Sequence, residues 1–218
     1  MRTLLITGSS RGLGRHLAET FLARGDVVHG CSRSAEGIDN PNYRHHALDV
    51  ADADAVEGFF NALRRERVVL DGVINNAGMA SMNSFALSPP NSYEKVFGVN
   101  VRGTYMVCQR ALPLLRRAAH PRIVNFSTVA VPLALAGEAL YAASKSAVET
   151  LTRVIAREYG PLGITCNAVG PCPIDTDLIA GVPTHKIDEL VARQSIARRG
   201  TPDDVVNAVE FFLRPESA

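Results

Sequence analysis

The chain has 218 residues, enough to bury one sizeable core and short for two domains. Its 46% hydrophobic and 21% charged residues are those of an ordinary globular protein and exclude a disordered one. A formal net charge of +1 supplies no overall field to recruit nucleic acid or an anionic membrane, and no apolar stretch approaches the roughly 20 residues that span a bilayer.

In chain order, apolar runs that read as strands alternate with stretches of helical spacing. The first strand is Leu4–Thr7, followed by GRHLAETFLARG, in which Leu17, Phe21 and Leu22 share one helical face. Strands at Val27–Cys31 and Tyr43–Leu48 come next. DADAVEGFFNALRRE then carries Val56, Phe59, Phe60 and Leu63 at helical spacing, with Asp52 as its expected cap. A fourth strand is read at Gly72–Asn75 and a fifth at Arg122–Ser127, with a helix over Asn100–Arg117 between them. A second long helix spans Tyr141–Tyr159, and the sixth strand is Ile164–Val169. Continuous apolar strands alternating with helices predict an α/β fold: a doubly wound, mainly parallel sheet of the Rossmann type, covered on both faces. Pro171–Pro183 is irregular and suits a lid, and Leu178–Arg198 reads as a loop that shapes a pocket.

Polar and glycine clusters recur at the carboxyl ends of these strands, where open α/β sheets bind ligands. TGSSRGLG follows the first strand, NNAG (Asn75–Gly78) the fourth, Ser127-Thr128 the fifth and GPCP (Gly170–Pro173) the sixth. Glycines permit positive φ and close backbone approach, and a helix N-terminus behind them can receive a phosphate. Tyr141 and Lys145 stand four residues apart, on one face of a helix.

The ordered set TGSSRGLG, NNAG, GVN (Gly98–Asn100), YAASK (Tyr141–Lys145) and NAVGP (Asn167–Pro171) resembles the short-chain dehydrogenase/reductase family over essentially the whole chain. Within it the chain is most similar to the β-ketoacyl-acyl-carrier-protein reductases, and RRGTPDDVVNAVEFFL (Arg198–Leu213) resembles their last helical segment. The resemblance implies one dinucleotide-binding oxidoreductase domain over residues 1–218. Members of the family continue through a last strand beyond the point where this chain reads FFLRPESA, so that strand is expected to be absent from it.

The resemblance also implies a cofactor site of Gly8, Ser10, Arg11, Gly12, Leu13 and Gly14 in the turn and Ser32 and Arg33 after the second strand. Asp49 and Val50 would flank the adenine, Asn76, Ala77 and Gly78 would line the centre, and Tyr141, Lys145, Pro171 and Thr176 the nicotinamide end. Asn75 resembles a residue that braces the strand beneath. Members preferring NAD carry an acid where this chain has Ser32. Two arginines and no carboxylate suit a phosphate of nearly two negative charges, so NADP(H) is the expected cofactor.

As catalytic residues the resemblance implies Tyr141 as general acid/base, with Lys145 lowering the phenol's pKa beside an oxidised nicotinamide. Asn100 is the fourth member. The third departs from the pattern: the family's serine, 13 residues before the tyrosine, is Thr128 here, with Ser127 as the alternative hydroxyl. Cys172 replaces a glycine after Pro171, which puts the turn in question because cysteine suits positive φ poorly.

The expected activity is NADPH-dependent hydride transfer to the carbonyl of a ketone or β-ketoacyl compound, the substrate being a small-molecule carbonyl or acyl thioester. The alternatives are a low-turnover NADP(H)-binding scaffold or sensor and an NAD-linked alcohol or sugar dehydrogenase. No metal is expected, because the six histidines and four cysteines form no ligand set. No GxSxG elbow supports a hydrolase. A cytoplasmic location and a homodimer or homotetramer are expected, with no nucleic-acid or membrane partner; cysteines without CxxC spacing fit a reducing compartment.

Overall fold

A computed structural model describes residues 1–34, 37–176 and 178–217. Ala35, Glu36 and Ala218 lie outside the described residues, as does Asp177 of the IDTDL segment. Strands β1 (Thr3–Thr7), β2 (Val27–Ser32), β3 (Tyr43–Ala47), β4 (Gly72–Asn75), β5 (Arg122–Phe126) and β6 (Thr165–Val169) form one parallel sheet in the order β3-β2-β1-β4-β5-β6. Each of the six predicted strands is present to within one residue at either end.

The central strands are apolar throughout because both of their faces are covered. On one face Leu5, Val73 and Ile123 pack on α2 (Ala53–Arg65), α4 (Thr104–Leu115) and α6 (Ala139–Tyr159) through Phe60, Leu63, Ala111, Leu114 and Ile155. On the other, Leu4, Ile6 and Val124 meet Leu17 and Phe21 of α1 (Gly12–Ala23) and Val205 and Val209 of α8 (Pro202–Leu213). Leu4, Leu5 and Ile6 alternate between the two cores, as the period of a strand requires.

The helix ends follow local chemistry. The Asp52 carboxylate caps α2, accepting from the amides of Asp54 and Ala55 at 3.0 Å each. Thr201 and Asp204 form a capping box at α8, with Pro202 in its first turn. Three α-helices were not read from the sequence as they stand. α3 (Ser92–Phe97) runs into a π-helix at Gly98–Gly103 before α4, the short α5 (Ala130–Leu133) follows β5, and α7 (Thr184–Ala192) forms within the stretch read as a loop. Ile187, Leu190 and Val191 carry the spacing that forms α7, after Pro183. Strand order reverses between β1 and β4, which opens a crevice at their carboxyl ends.

Candidate active site

The turn after β1 needs its glycines for two different reasons. Gly8 (φ +71°) and Gly12 (φ +54°) lie in the left-handed region, which glycine enters without penalty. Gly14 lies in the first turn of α1, and a Cβ there would overlap the Gly8 carbonyl oxygen and the Asn76 carboxamide. That amide donates to the carbonyl oxygens of Thr7 (3.0 Å) and Gly8 (3.2 Å), while the Ala77 N–H donates to Thr7 Oγ1 at 2.9 Å. The ends of β1 and β4 are thereby stitched together under the turn. No side chain caps α1 and no acid stands in its first turn, an arrangement suited to an anion.

Beneath the site, Asn75 Nδ2 donates to Asn125 Oδ1 and Asn125 Nδ2 to Thr152 Oγ1, both at 2.8 Å. This buried ladder ties β4 and β5 to α6. Asn100 is wholly buried in the π-helix. Its Oδ1 accepts from the Met79 N–H (2.8 Å), and its Nδ2 donates to the Met79 carbonyl and to Ser144 Oγ, each at 2.9 Å. Lys145 Nζ donates to the Phe126 carbonyl oxygen at 2.9 Å. A Cβ on Gly78 would lie 3.5 Å from that ammonium and 3.6 Å from Asn100 Oδ1, so both groups converge on one point of the NNAG segment.

The Tyr141 phenol and the Thr128 hydroxyl line one wall of the site. Burial pushes the phenol up to about 12, against a lowering effect of the Thr128 hydroxyl and with a further rise from the charge of Glu138. Burial brings the Lys145 ammonium down to about 8. The expected acidic phenol is therefore not a property of the protein alone. In a dry site the loss of hydration outweighs the pull of the nearby cation, and that cation is bonded to a backbone carbonyl.

These groups open onto a cleft of about 1310 Å³. Every residue expected to contact the cofactor lines it: the turn residues, Ser32, Arg33, Asp49, Val50, Asn76, Ala77, Gly78, Pro171 and Thr176, together with Tyr141 and Lys145. Thr128 lines it as well, whereas Asn100 stands behind the wall. Arg11 and Arg33 are exposed on its rim. Ser32 donates to the Ser34 carbonyl (3.2 Å), and Asp49 accepts from the Ala51 amide (2.9 Å). Thr176 faces the turn, its Cβ 3.7 Å from where a Gly12 Cβ would stand.

Ser127 reaches the cleft wall, but its hydroxyl donates to Glu149 Oε1 at 2.5 Å, so it is already engaged. Cys172 does not take positive φ, and its thiol packs where a Gly200 side chain would be. Burial pushes the thiols of Cys31 and Cys108 up to about 12 and raises that of Cys166, which leaves none of the three as a nucleophile at neutral pH. Among the described residues no cluster of His, Cys, Asp or Glu is arranged to hold a metal, and no helix is long and apolar enough to cross a membrane.

The stretch Leu178–Arg198, read as shaping a pocket, does contribute Val182 and Ile187 to the cleft. Sequence reasoning missed Met79, Met82, Leu135 and Glu138, which also line it. Of these Glu138 alone carried a readable signal, standing three residues before Tyr141 at the start of the same helix.

The sheet, the glycine turn and the cleft together define a nucleotide-binding α/β protein of the Rossmann type. Residues 8–218 match the family described as Enoyl-(Acyl carrier protein) reductase, and the chain belongs to the short-chain dehydrogenase/reductase family of oxidoreductases. It is 29% identical to a 3-oxoacyl-acyl-carrier-protein reductase of Vibrio cholerae, covering 100% of this chain and 91% of that protein. It is 34% identical to the 2-(R)-hydroxypropyl-CoM dehydrogenase of Xanthobacter autotrophicus, over 100% and 92% of the two chains. Among solved structures, the ligand-free aldohexose dehydrogenase of Thermoplasma acidophilum superposes with a TM-score of 0.87 at 30% identity, over 99% of this chain and 88% of that one.

Proposed function

We propose that this chain is an NADPH-dependent reductase that transfers hydride to a ketone or β-ketoacyl carbonyl. The observation that carries the reading is that Thr128, Tyr141 and Lys145 line the same cleft as the glycine turn. The cradle fits a dinucleotide: a Cβ is missing at Gly14 where the backbone must close, and Ser32 and Arg33, not an acid, stand at the end of β2. A bound dihydronicotinamide would supply the hydride. Gly12, Leu13 and Gly14 would hold the pyrophosphate, Arg11 and Arg33 the 2′-phosphate, and Lys145 the ribose hydroxyls. Thr128 orients the carbonyl oxygen and Tyr141 gives it a proton from its hydroxyl; a phenol held high by burial is in its protonated, donating form. Asn100 and Asn75 position α6 and the strand ends without touching the substrate.

Exposed Tyr105 on α4 and Val154 on α6 are apolar surface that suits packing of a second copy, and the working form is taken to be a homodimer or homotetramer in the cytoplasm. Oxidation of NADPH and NADH with ketones and ketoacyl thioesters, wild type beside Tyr141→Phe and Arg33→Ala, tests the reading. Turnover with NADPH that is lost in Tyr141→Phe, and an NADPH affinity that drops in Arg33→Ala while that for NADH holds, are the expected results. A preference for NADH would overturn the cofactor assignment. NADPH binding with no turnover of any carbonyl would leave a binding scaffold.

A further inference from the structure

Glu138 is an acid in the wrong place for a structural role. It occupies the N-cap position of α6, yet its side chain makes no capping hydrogen bond. Its carboxylate has no ion-pair or hydrogen-bond partner among the described residues, although it is half-buried. Burial raises its pKa, so the site bears a desolvation cost that nothing in the protein repays. It lines the same cleft as Tyr141, and its charge acts on the Tyr141 hydroxyl. Around it the wall is apolar, with Leu135 and Met82, and the Gly137 carbonyl accepts from the Asn83 N–H at 2.8 Å, which holds the two loops together beside it. Lys186 on α7 and Arg193 just after it also line the cleft, and neither makes an ion pair with Glu138.

We infer that Glu138 selects the substrate: the carbonyl compound reduced here carries a hydrogen-bond donor, a hydroxyl or an ammonium, close to the reacting carbon, and a carboxylate at that place is rejected. An ionised carboxylate has only acceptors, so a neighbouring donor satisfies it and a neighbouring acceptor leaves it unpaired. Sites that pair a polar group with the substrate reject analogues lacking it far more strongly than apolar pockets discriminate by size. The inference rests on the reductase reading and narrows it. The thioester carbonyl of a β-ketoacyl thioester, one methylene from the keto carbon, is an acceptor, so hydroxy- and amino-ketones are favoured over that class.

The test uses the full chain with NADPH at pH 7.5 and four ketones of one skeleton, bearing hydroxyl, ammonium, methyl or carboxylate at the carbon beside the carbonyl. The wild type is expected to show kcat/KM at least tenfold higher for the hydroxyl and ammonium compounds than for the methyl and carboxylate ones. In Glu138→Gln the preference for ammonium over carboxylate should shrink at least tenfold, and in Glu138→Lys it should reverse, with the change carried mainly by KM. Circular dichroism and thermal melting confirm that both variants fold. If the wild type turns over ketones, Tyr141→Phe abolishes that turnover, and the ammonium-to-carboxylate ratio is the same in wild type and Glu138→Gln, the selection by Glu138 is refuted while the reductase stands. If the wild type reduces no ketone or thioester at all, both fall.

Discussion

Asn100 donates from Nδ2 to the Ser144 hydroxyl across 2.9 Å, and that hydroxyl donates on to the Tyr141 carbonyl oxygen at 2.7 Å. A side chain buried in one helix thus sets the backbone that carries the proposed acid, without entering the cleft. Asn100→Ala is expected to lower kcat about tenfold to a hundredfold, because small misplacements of a reacting group are costly. Leaving the Met79 amide and carbonyl unpaired, and the Ser144 hydroxyl with only its bond to the Tyr141 carbonyl, should also cost about 1–3 kcal/mol in a denaturant melt. Ser144→Ala should show a smaller loss of the same kind. An Asn100→Ala enzyme of unchanged kcat would remove the positioning role.

The hydroxyl that works with Tyr141 is assigned to Thr128. Thr128→Val keeps the shape and deletes the hydroxyl that acts on the phenol, and kcat/KM should fall about a hundredfold. Thr128→Ser should retain most activity. Ser127→Ala breaks a bond to Glu149 on the far side of the wall and should change kcat by less than a few-fold. Steady-state kinetics on the three variants check the assignment, and a loss confined to Ser127→Ala would reverse it.

Lys145 is a charge kept in a place that disfavours it. Its folded-state pKa of about 8 lies below the ordinary 10.5, so the unfolded chain binds the proton more tightly. Stability therefore rises with pH between about 8 and 10.5, and below pH 8 the buried charge carries its full cost. Lys145→Met is expected to unfold at higher denaturant at pH 7, by up to about 3 kcal/mol, while losing turnover. A destabilised Lys145→Met would show that the bond to the Phe126 carbonyl outweighs desolvation.

Acid should loosen the other end of the sheet. His29 of β2 is buried and stacked on His46 of β3, their rings 5.3 Å apart. Burial, then the charges of His46 and Arg44, holds His29 down at about 4, and burial lowers His46 too. As pH falls below about 6.5 the unfolded chain takes up protons that the folded one refuses, so stability is lost between about pH 6.5 and 4. The loss from His29 amounts to about 3 kcal/mol at most. Urea midpoints across that range should fall, and His29→Leu should flatten part of the slope. A flat wild-type profile would contradict the burial of neutral imidazoles.

The nucleotide half of the cleft was legible in the order of residues because its determinants are local. Gly8 and Gly12 need positive φ within one turn, Asp52 caps a helix two residues on, and the alternation of Leu4, Leu5 and Ile6 declares a strand covered on both faces. The spacing of Tyr141 and Lys145 likewise follows from the pitch of one helix.

What required the folded chain was everything that depends on desolvation and on contacts between distant segments. The direction in which Tyr141 and Lys145 titrate is set by how dry the junction of β5 and α6 is, and spacing carries no trace of that. The Asn75–Asn125–Thr152 ladder joins residues up to 77 positions apart, and the wall holding Met82, Glu138 and Ile187 is assembled from three separate stretches. Local geometry is written in neighbouring residues, whereas burial and long-range pairing come into being only when the sheet and its helices pack.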